Sequence, residues 1–118
     1  MVWGSRPDGA CDFVSRRWLE YSGVSESELL GYGWLERVHP EEREQLRERW
    51  RSAVRTGQDF DAEFRNLGAS GSYRWFFTRA APMRNGRAQV VRWYGTSTDI
   101  DELKRSEPAR DAVVAAET

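Results

Sequence analysis

The feature that most constrains the fold is a helix with clear start and stop signals in the middle of the chain. Pro40 suits the first helical position, and Glu41 and Glu42 complement the positive end of the helix dipole. Arg55 in the last turn and Gly57 just after it are typical of a helix end. The signals at both ends therefore predict one helix between Pro40 and Gly57.

One face of this helix is apolar. Four apolar side chains recur at positions i, i+4, i+7 and i+8: Leu46, Trp50, Ala53 and Val54. Arg and Glu residues occupy the opposite face. The helix therefore needs an apolar surface to lie on.

The segment that follows supplies such a surface as three extended stretches, at about 60–67, 72–83 and 87–98. Gly68 to Gly71 separates the first two, and Asn85-Gly86 separates the last two. Asn-Gly is a strong two-residue hairpin signal. Such a turn predicts Arg84 opposite Arg87 and Arg74 opposite Ser97.

The first third of the chain reads as a hairpin followed by two short helices. Strands are predicted at 2–5 and 11–14, joined by the Pro7-Asp8-Gly9 turn. Ser15 is a predicted helix cap, with Gly23 ending that helix. Ser25 and Glu28 form a predicted capping box for a helix ending near Gly31. The order of two strands, three helices and three strands predicts an α+β fold with an antiparallel sheet.

Composition limits the function classes. A chain of 118 residues has room for one domain, and its 18 basic and 19 acidic residues cancel. It therefore lacks the basic excess typical of proteins that bind nucleic acid or anionic membranes. Cys11 has no partner for an internal disulfide, and no apolar run is long enough to cross a membrane. We expect a cytoplasmic domain without direct membrane contact.

Four motifs in order then resemble the PAS superfamily, in its bacterial sensory-box branch. They are Tyr21-Ser22-Gly23 with Glu28-Leu29-Leu30-Gly31, the run from Trp34 to Arg43 (WLERVHPEER), Gly71-Ser72-Tyr73-Arg74-Trp75, and Gly95-Thr96-Ser97-Thr98-Asp99-Ile100-Asp101. Each motif is weak alone, but their order and spacing are specific. The similarity covers the chain from Val2 to about Arg105.

The resemblance implies a five-stranded antiparallel sheet, helices packed on one face, a cavity between these layers and a C-terminal exit helix. It divides the chain into a sensory domain at 1–101 and a linker or output helix at 102–118, leading to an effector domain of the same protein. The implied function is ligand or partner sensing within a multidomain signalling protein of the histidine kinase or cyclic-di-GMP enzyme type. The chain itself is then not an enzyme.

By the same resemblance, a set of residues should face the cavity. From the helices these are Trp18, Tyr21, Leu30 and Trp34; from the sheet they are Phe64, Asn66, Phe76, Thr78, Ala80, Trp93, Gly95 and Ser97. Asn66 and Ser97 are polar, and either a ligand or the backbone and water could pair them. Bulky side chains at 64, 76 and 93 could instead fill the cavity.

No particular cofactor is implied, although an unknown small molecule is compatible with the cavity. Flavin chemistry of the cysteine-adduct kind needs a cysteine on a helix, whereas Cys11 lies in a predicted early strand. His39 directly precedes Pro40, so we expect a structural helix cap rather than a haem ligand. Neither a metal site nor a catalytic group is predicted.

Two further groups of residues are predicted at the surface. Asp99 and Asp101 match the exit motif, and Arg74 is expected to pair with Asp99. The outward sheet face should carry Val90, Arg92, Tyr94 and Thr96 with Trp75 and Phe77, a surface suited to homodimer formation.

Three interpretations follow. The first is a sensory domain, and the second is an interaction module with a closed cavity. The third is a small enzyme that uses Asn66, Thr78 and Ser97, but no general base is available to it.

Overall fold

A single antiparallel sheet organises the computed structural model, which describes residues 1–106. Its five strands lie in the order β2-β1-β5-β4-β3. The strands are β1 (Val2–Ser5), β2 (Cys11–Val14), β3 (Phe60–Leu67), β4 (Tyr73–Arg84) and β5 (Val90–Asp99). The β1–β2 hairpin joins the β3–β4–β5 meander through the pairing of β1 with β5. The predicted α+β fold with one antiparallel sheet is thus confirmed.

Helices cover one face of the sheet. They are α1 (Arg16–Ser22), α2 (Glu26–Leu29), a 3₁₀-helix (Gly33–Arg37) and α3 (Pro40–Thr56). A further helix, α4, occupies residues 101–106. The predicted output segment therefore begins as a helix, whereas its remainder, residues 107–118, lies outside the described part of the chain.

The predicted limits of α3 are confirmed. His39 caps the helix, since its Nδ1 accepts a hydrogen bond from the backbone N–H of Glu41 at 3.1 Å. Gly57 ends it at φ 70°, a left-handed conformation that glycine adopts without strain. Leu46, Trp50 and Ala53 are buried against the sheet, as their spacing predicts.

The expected side-chain caps of the two short helices are wrong. Ser15 stands at the N-cap of α1, but its hydroxyl accepts from the backbone N–H of Val2 at 3.1 Å and so links α1 to β1. Ser25 does not form a capping box with Glu28, because its hydroxyl lies 3.1 Å from that of Ser27. Helix α2 is a single turn that ends at Leu29, before the expected Gly31.

The predicted register of the last hairpin is also wrong. Thr78, rather than Arg74, lies opposite Ser97, a displacement of four residues along β4. The cause is a longer turn, in which the Asn85 side-chain oxygen accepts from the N–H groups of Arg87 and Gln89 at 2.8 and 3.1 Å. Because four is even, each side chain keeps its predicted face of the sheet.

An irregularity beside this turn changes one assignment. The pairing shifts between Met83 and Arg84, which are opposite Arg92 and Val90. Val91 is therefore left out of the pairing and is 38% exposed. Val90, expected on the outward face, packs against the core instead.

The core lies between the sheet and the helices. Trp93 and Leu29 are fully buried there, and Gly95 allows the Trp3 ring to lie against β5. A Cβ atom at Gly95 would come within 2.3 Å of that ring. Among residues 1–106, no helix is long and apolar enough to span a membrane.

Candidate functional site

A small cavity lies in the core between the helices and the sheet. Aromatic rings form most of its wall: Trp3, Trp18, Trp34, Trp50, Phe60 and Phe64. The rest of the wall comes from Gly9, Cys11, Leu46, Thr78 and Ser97. Its volume of about 20 Å³ has room for about one water molecule. The cavity in this structure is therefore nearly closed.

Trp50 holds the aromatic wall together. Its ring meets those of Trp3, Phe60 and Trp93 edge to face, at centroid distances of 5.5, 5.1 and 5.1 Å. Its indole N–H donates to the carbonyl oxygen of Gly9 at 3.0 Å. This tryptophan thus ties α3 to the sheet and to the turn before β2.

Two hydroxyl groups form the polar part of the wall. Thr78 on β4 and Ser97 on β5 lie opposite each other, and their side-chain oxygens are 2.8 Å apart in a buried hydrogen bond. One hydroxyl donates in this bond, which leaves the other hydroxyl hydrogen free to donate. The expectation that Ser97 would bond to backbone or water is replaced by this pair.

Several buried polar atoms have no hydrogen-bond partner within residues 1–106. They include the indole nitrogens of Trp3, Trp18 and Trp93 and the side-chain oxygen of Asn66. An unpaired buried donor or acceptor costs about 1 to 3 kcal/mol. The interior therefore retains hydrogen-bonding capacity that the protein does not use.

The predicted cavity residues divide into two groups. Trp18, Trp34, Phe64, Thr78 and Ser97 line the cavity. The others lie around it: Asn66, Phe76, Ala80, Trp93 and Gly95 are buried, whereas Tyr21 and Leu30 are partly buried.

Tyr21 serves the structure between α1 and β3. Its hydroxyl donates to the backbone oxygen of Asn66 at 2.6 Å, and its ring meets Phe76 edge to face at 5.0 Å. Burial raises the pKa of Tyr21 to about 12, so the hydroxyl remains a donor at physiological pH.

Cys11 lies on β2, as expected, and its side chain belongs to the cavity wall. Burial raises the pKa of its thiol, which keeps the sulfur protonated and weakly nucleophilic. The described part of the wall holds neither a carboxylate nor an imidazole. The arrangement is suited to binding rather than to acid–base catalysis.

His39, Glu41 and Glu42 bring three residues of metal-ligating type close together, but Arg65 already binds both carboxylates. Arg65 donates to Glu41 at 2.8 Å and to Glu42 through its Nε at 2.9 Å. Burial would raise the pKa of Glu42, yet the hydrogen bonds from Arg65 outweigh it and lower this pKa. The cluster therefore fixes the start of α3 to β3.

The end of the β4–β5 hairpin meets helix α4 at a site that we term the exit junction, formed by Arg74, Trp75, Asp99, Asp101 and Lys104. Asp101 has a side-chain exposure of 3%, and it accepts from the Trp75 backbone N–H at 3.0 Å. Arg74 donates to Asp99 at 2.7 Å, as predicted. Lys104 lies 4.9 Å from the centre of the Trp75 ring.

Asp101 has a second partner within α4, because Arg105 donates to its other oxygen. This hydrogen bond, with that from the Trp75 N–H, lowers the pKa of Asp101 against the opposing effect of burial. The Asp99 carboxylate accepts from the Asp101 N–H at 2.9 Å, which caps α4. Both carboxylates are thus paired through hydrogen bonds.

Comparison with known proteins identifies the family. A family model described as the PAS fold matches residues 12–97. The chain belongs to the PAS family.

Two curated relatives of this PAS domain are much longer proteins. It is 36% identical over 103 residues to the uncharacterised protein y4lL of Sinorhizobium fredii, and 30% identical over 99 residues to the peroxide stress-activated histidine kinase mak1 of Schizosaccharomyces pombe. These matches cover 87% and 84% of the chain, but 12% and 6% of the relatives.

A solved structure supports the same fold. The N-terminal domain of a diguanylate cyclase with PAS/PAC sensor from Marinobacter aquaeolei superposes with a TM-score of 0.77 at 21% identity, covering 87% of this chain and 96% of that one. At this identity the superposition shows the fold alone.

On the outward face of the PAS sheet, the predicted partner residues have different surroundings. Tyr94 is 46% exposed. Trp75 belongs to the exit junction, since Arg65 and Lys104 both lie near its ring. Arg92 donates to both oxygens of Asp12, at 2.8 and 2.7 Å. Phe77 is partly buried.

The motif comparison missed much of the wall, namely Trp3, Trp50, Phe60, Leu46, Gly9 and Cys11. Trp50 and Leu46 belong to the apolar stripe of α3, and Phe60 alternates with Phe64 along β3, so periodicity alone gave a signal for them. Gly9 gave no such signal, because it lies in a turn, where apolar residues follow no helix or strand period.

Proposed function

We propose that this PAS domain is the sensory module of a larger signalling protein and converts occupancy of its cavity into a change at the exit junction. The pairing of β4 with β5 supports this proposal. The Thr78–Ser97 pair in the cavity and the Phe76–Asp99 pair at the exit are neighbouring inward-facing pairs of one β4–β5 ladder. A displacement of the hydroxyl pair therefore acts directly on the strands that hold α4.

The mechanism is a shift between two arrangements of the sheet and α4. A ligand favours one arrangement only by its difference in affinity for the two. In the structure α4 is held by Asp101 and Lys104, and Lys104 also donates to Glu63 at 2.8 Å. Weakening these contacts is the change that an effector would detect.

The effector that we propose is a histidine kinase or a cyclic-di-GMP enzyme. The names of mak1 and of the Marinobacter cyclase support these two classes. In this proposal the effector lies on the same chain after α4, and the PAS domain itself does no catalysis.

Native mass spectrometry of the purified 118-residue chain, beside its denatured mass and an absorption spectrum, tests the sensory proposal. A small molecule present only in the native spectrum supports a sensory cavity and identifies the ligand class. Reproducible absence in material prepared without detergent or organic solvent favours the interaction module described next.

A second candidate function is assembly with another copy through the outward sheet face. Arg79 supports this alternative, because its side chain is exposed and makes no ion pair within the described residues. It shares a groove with Tyr94 and with two acidic residues, Asp59 and Asp61. A stable interface between two copies would need to bury about 800 Å² on each partner.

Light scattering at several concentrations tests this alternative. Homodimer formation that Arg79→Glu weakens and Arg87→Glu, in the exposed hairpin turn, leaves unchanged supports the face. A monomer at all concentrations up to the millimolar range contradicts it for this chain.

A further inference from the structure

We propose that the cavity takes a small uncharged molecule bearing a hydrogen-bond acceptor, and that Trp34 is the residue that moves to admit it. This inference rests on the sensory function proposed above. It adds the ligand's chemical class and its route of entry.

The wall determines the charge of the ligand. All of the residues that line the cavity in the described chain are uncharged at neutral pH, and six of them are aromatic. Transfer of an ion into such surroundings without a charged partner is strongly unfavourable. A neutral molecule with an apolar body is therefore favoured.

The unused donors determine the polar group of the ligand. Trp3 and Trp18 line the cavity at 8% and 5% exposure, and both indole N–H groups lack an acceptor. The Thr78–Ser97 pair adds one free hydroxyl hydrogen. These indole N–H groups have no partner in the described chain, and a carbonyl or ether oxygen could accept from them.

The cavity is too small for an organic ligand in this structure, so a residue of its wall must move to admit one. A volume of about 20 Å³ admits a water molecule but no organic ligand. Among the lining residues only Trp34 is partly exposed, whereas all the others are buried. Trp34 lies on the short 3₁₀-helix, and its ring packs at the edge of the core. Its outward rotation connects the cavity to solvent at the smallest cost in buried contacts.

The test uses two probes of the same shape in the full 118-residue chain carrying Trp34→Ala. Acetophenone presents a carbonyl oxygen, whereas α-methylstyrene has a CH₂ group in its place. Binding is followed by ¹⁵N–¹H spectra, in which each tryptophan indole gives its own signal. Adding Trp18→Phe or Trp3→Phe removes one donor but keeps an aromatic ring.

Trp93→Phe is the matched control. Trp93 also has a buried indole N–H without an acceptor, but it does not line the cavity. We expect Trp18→Phe or Trp3→Phe to weaken acetophenone binding about two- to tenfold relative to α-methylstyrene, the range that one hydrogen bond supplies. The control should leave this ratio unchanged, and the bound carbonyl should shift the Trp3 or Trp18 indole signal.

Three results would overturn the inference. An unchanged ratio in both donor variants would show that the cavity selects only for apolar shape. An acetophenone association rate that is no faster in Trp34→Ala than in the wild-type chain would exclude Trp34 as the gate. No binding by a folded Trp34→Ala or Trp34→Val variant would mean that the cavity takes no organic ligand. Because the assay uses synthetic probes and no effector, a native ligand found by mass spectrometry would still support the sensory function after any of these results.

Discussion

The cavity and the exit junction occupy neighbouring positions along the β4–β5 hairpin, and they differ in how far their polar groups are paired. In the cavity wall the indole N–H groups of Trp3 and Trp18 have no acceptor. At the exit junction Asp99 and Asp101 each accept from two donors. The difference indicates that the cavity is suited to receive a group from outside, whereas the junction is already complete.

The β4–β5 ladder makes this contrast useful for signalling. Thr78 points into the cavity, and Trp75 on the same strand points to α4. Hydrogen bonds hold the exit junction in one arrangement. A ligand that favours a different arrangement of the sheet and α4 must weaken those bonds. Four substitutions, taken from the largest expected effect to the smallest, test this contrast.

Trp50→Ala should cause the largest loss of stability, because it removes the ring that joins α3 to the sheet. Replacing a buried tryptophan by alanine typically costs about 3 to 5 kcal/mol of unfolding free energy. Urea unfolding followed by far-UV circular dichroism measures it. Tyr94→Ala, at an exposed aromatic ring, is the control and should cost less than about 1 kcal/mol. Equal losses would mean that the aromatic wall is not the core of the domain.

Asp101→Asn should weaken the exit junction with a smaller effect on the whole domain. Hydrogen bonds to a charged group contribute about 1.5 to 3 kcal/mol. Amide hydrogen exchange at Trp75 measures the change, because that N–H donates to Asp101. Faster exchange is expected, and Glu102→Gln, at an exposed position of α4, should leave the rate unchanged.

The same carboxylate predicts a pH dependence in the wild-type chain. Since folding lowers the pKa of Asp101 below its ordinary value of 3.8, the ionised group stabilises the junction above that pH. This contribution is lost as the pH falls through the lowered pKa. Protection of the Trp75 amide that is already lost at or above pH 3.8 would contradict the assignment.

Thr78→Val should cost about 1 kcal/mol, because it leaves the Ser97 hydroxyl buried without its partner. The double variant Thr78→Val with Ser97→Ala should cost less than the sum of the single variants. Denaturant unfolding of all four proteins completes the cycle. Strict additivity would mean that the two hydroxyls are not coupled.

Asp99→Ala should have the smallest effect on stability. Its bond to Arg74 is at the surface, with side-chain exposures of 40% and 39%, and such pairs contribute about 0 to 1 kcal/mol. Its influence should appear in the capping of α4, measured as amide exchange at Asp101. An unchanged rate would assign the cap to other groups.

The helices and strands were predicted well, because their limits depend mainly on residues close together in the sequence. The α3 limits follow from Pro40 and Gly57, and the family resemblance, which agrees with strand alternation, placed Phe64, Thr78 and Ser97 at the cavity. The register of the last hairpin failed because the Asn85 side chain stabilises a longer turn, which the Asn-Gly pair alone does not indicate. Side-chain competition for backbone N–H groups is decided by the folded geometry.

The cavity was only partly predictable for the same reason. The family resemblance indicated Trp18 and Trp34, but the roles of Trp3 and Gly9 depend on contacts between segments distant in sequence. Gly95 is an example, since its importance comes from the approach of the Trp3 ring across two paired strands. The partners of Trp75 at the exit junction likewise arise only when α4 lies beside β3 and β4.

The most direct test of the account is whether filling the cavity changes the exit junction. Hydrogen exchange at the Trp75 amide can be measured in the Trp34→Ala chain with and without acetophenone, with the Asn85 amide at the far end of the same hairpin as reference. We expect the probe to change the amide exchange rate of Trp75 at least severalfold, while the exchange rate of Asn85 stays constant. Saturation of the cavity with no change at Trp75 would contradict the proposed coupling between cavity and exit.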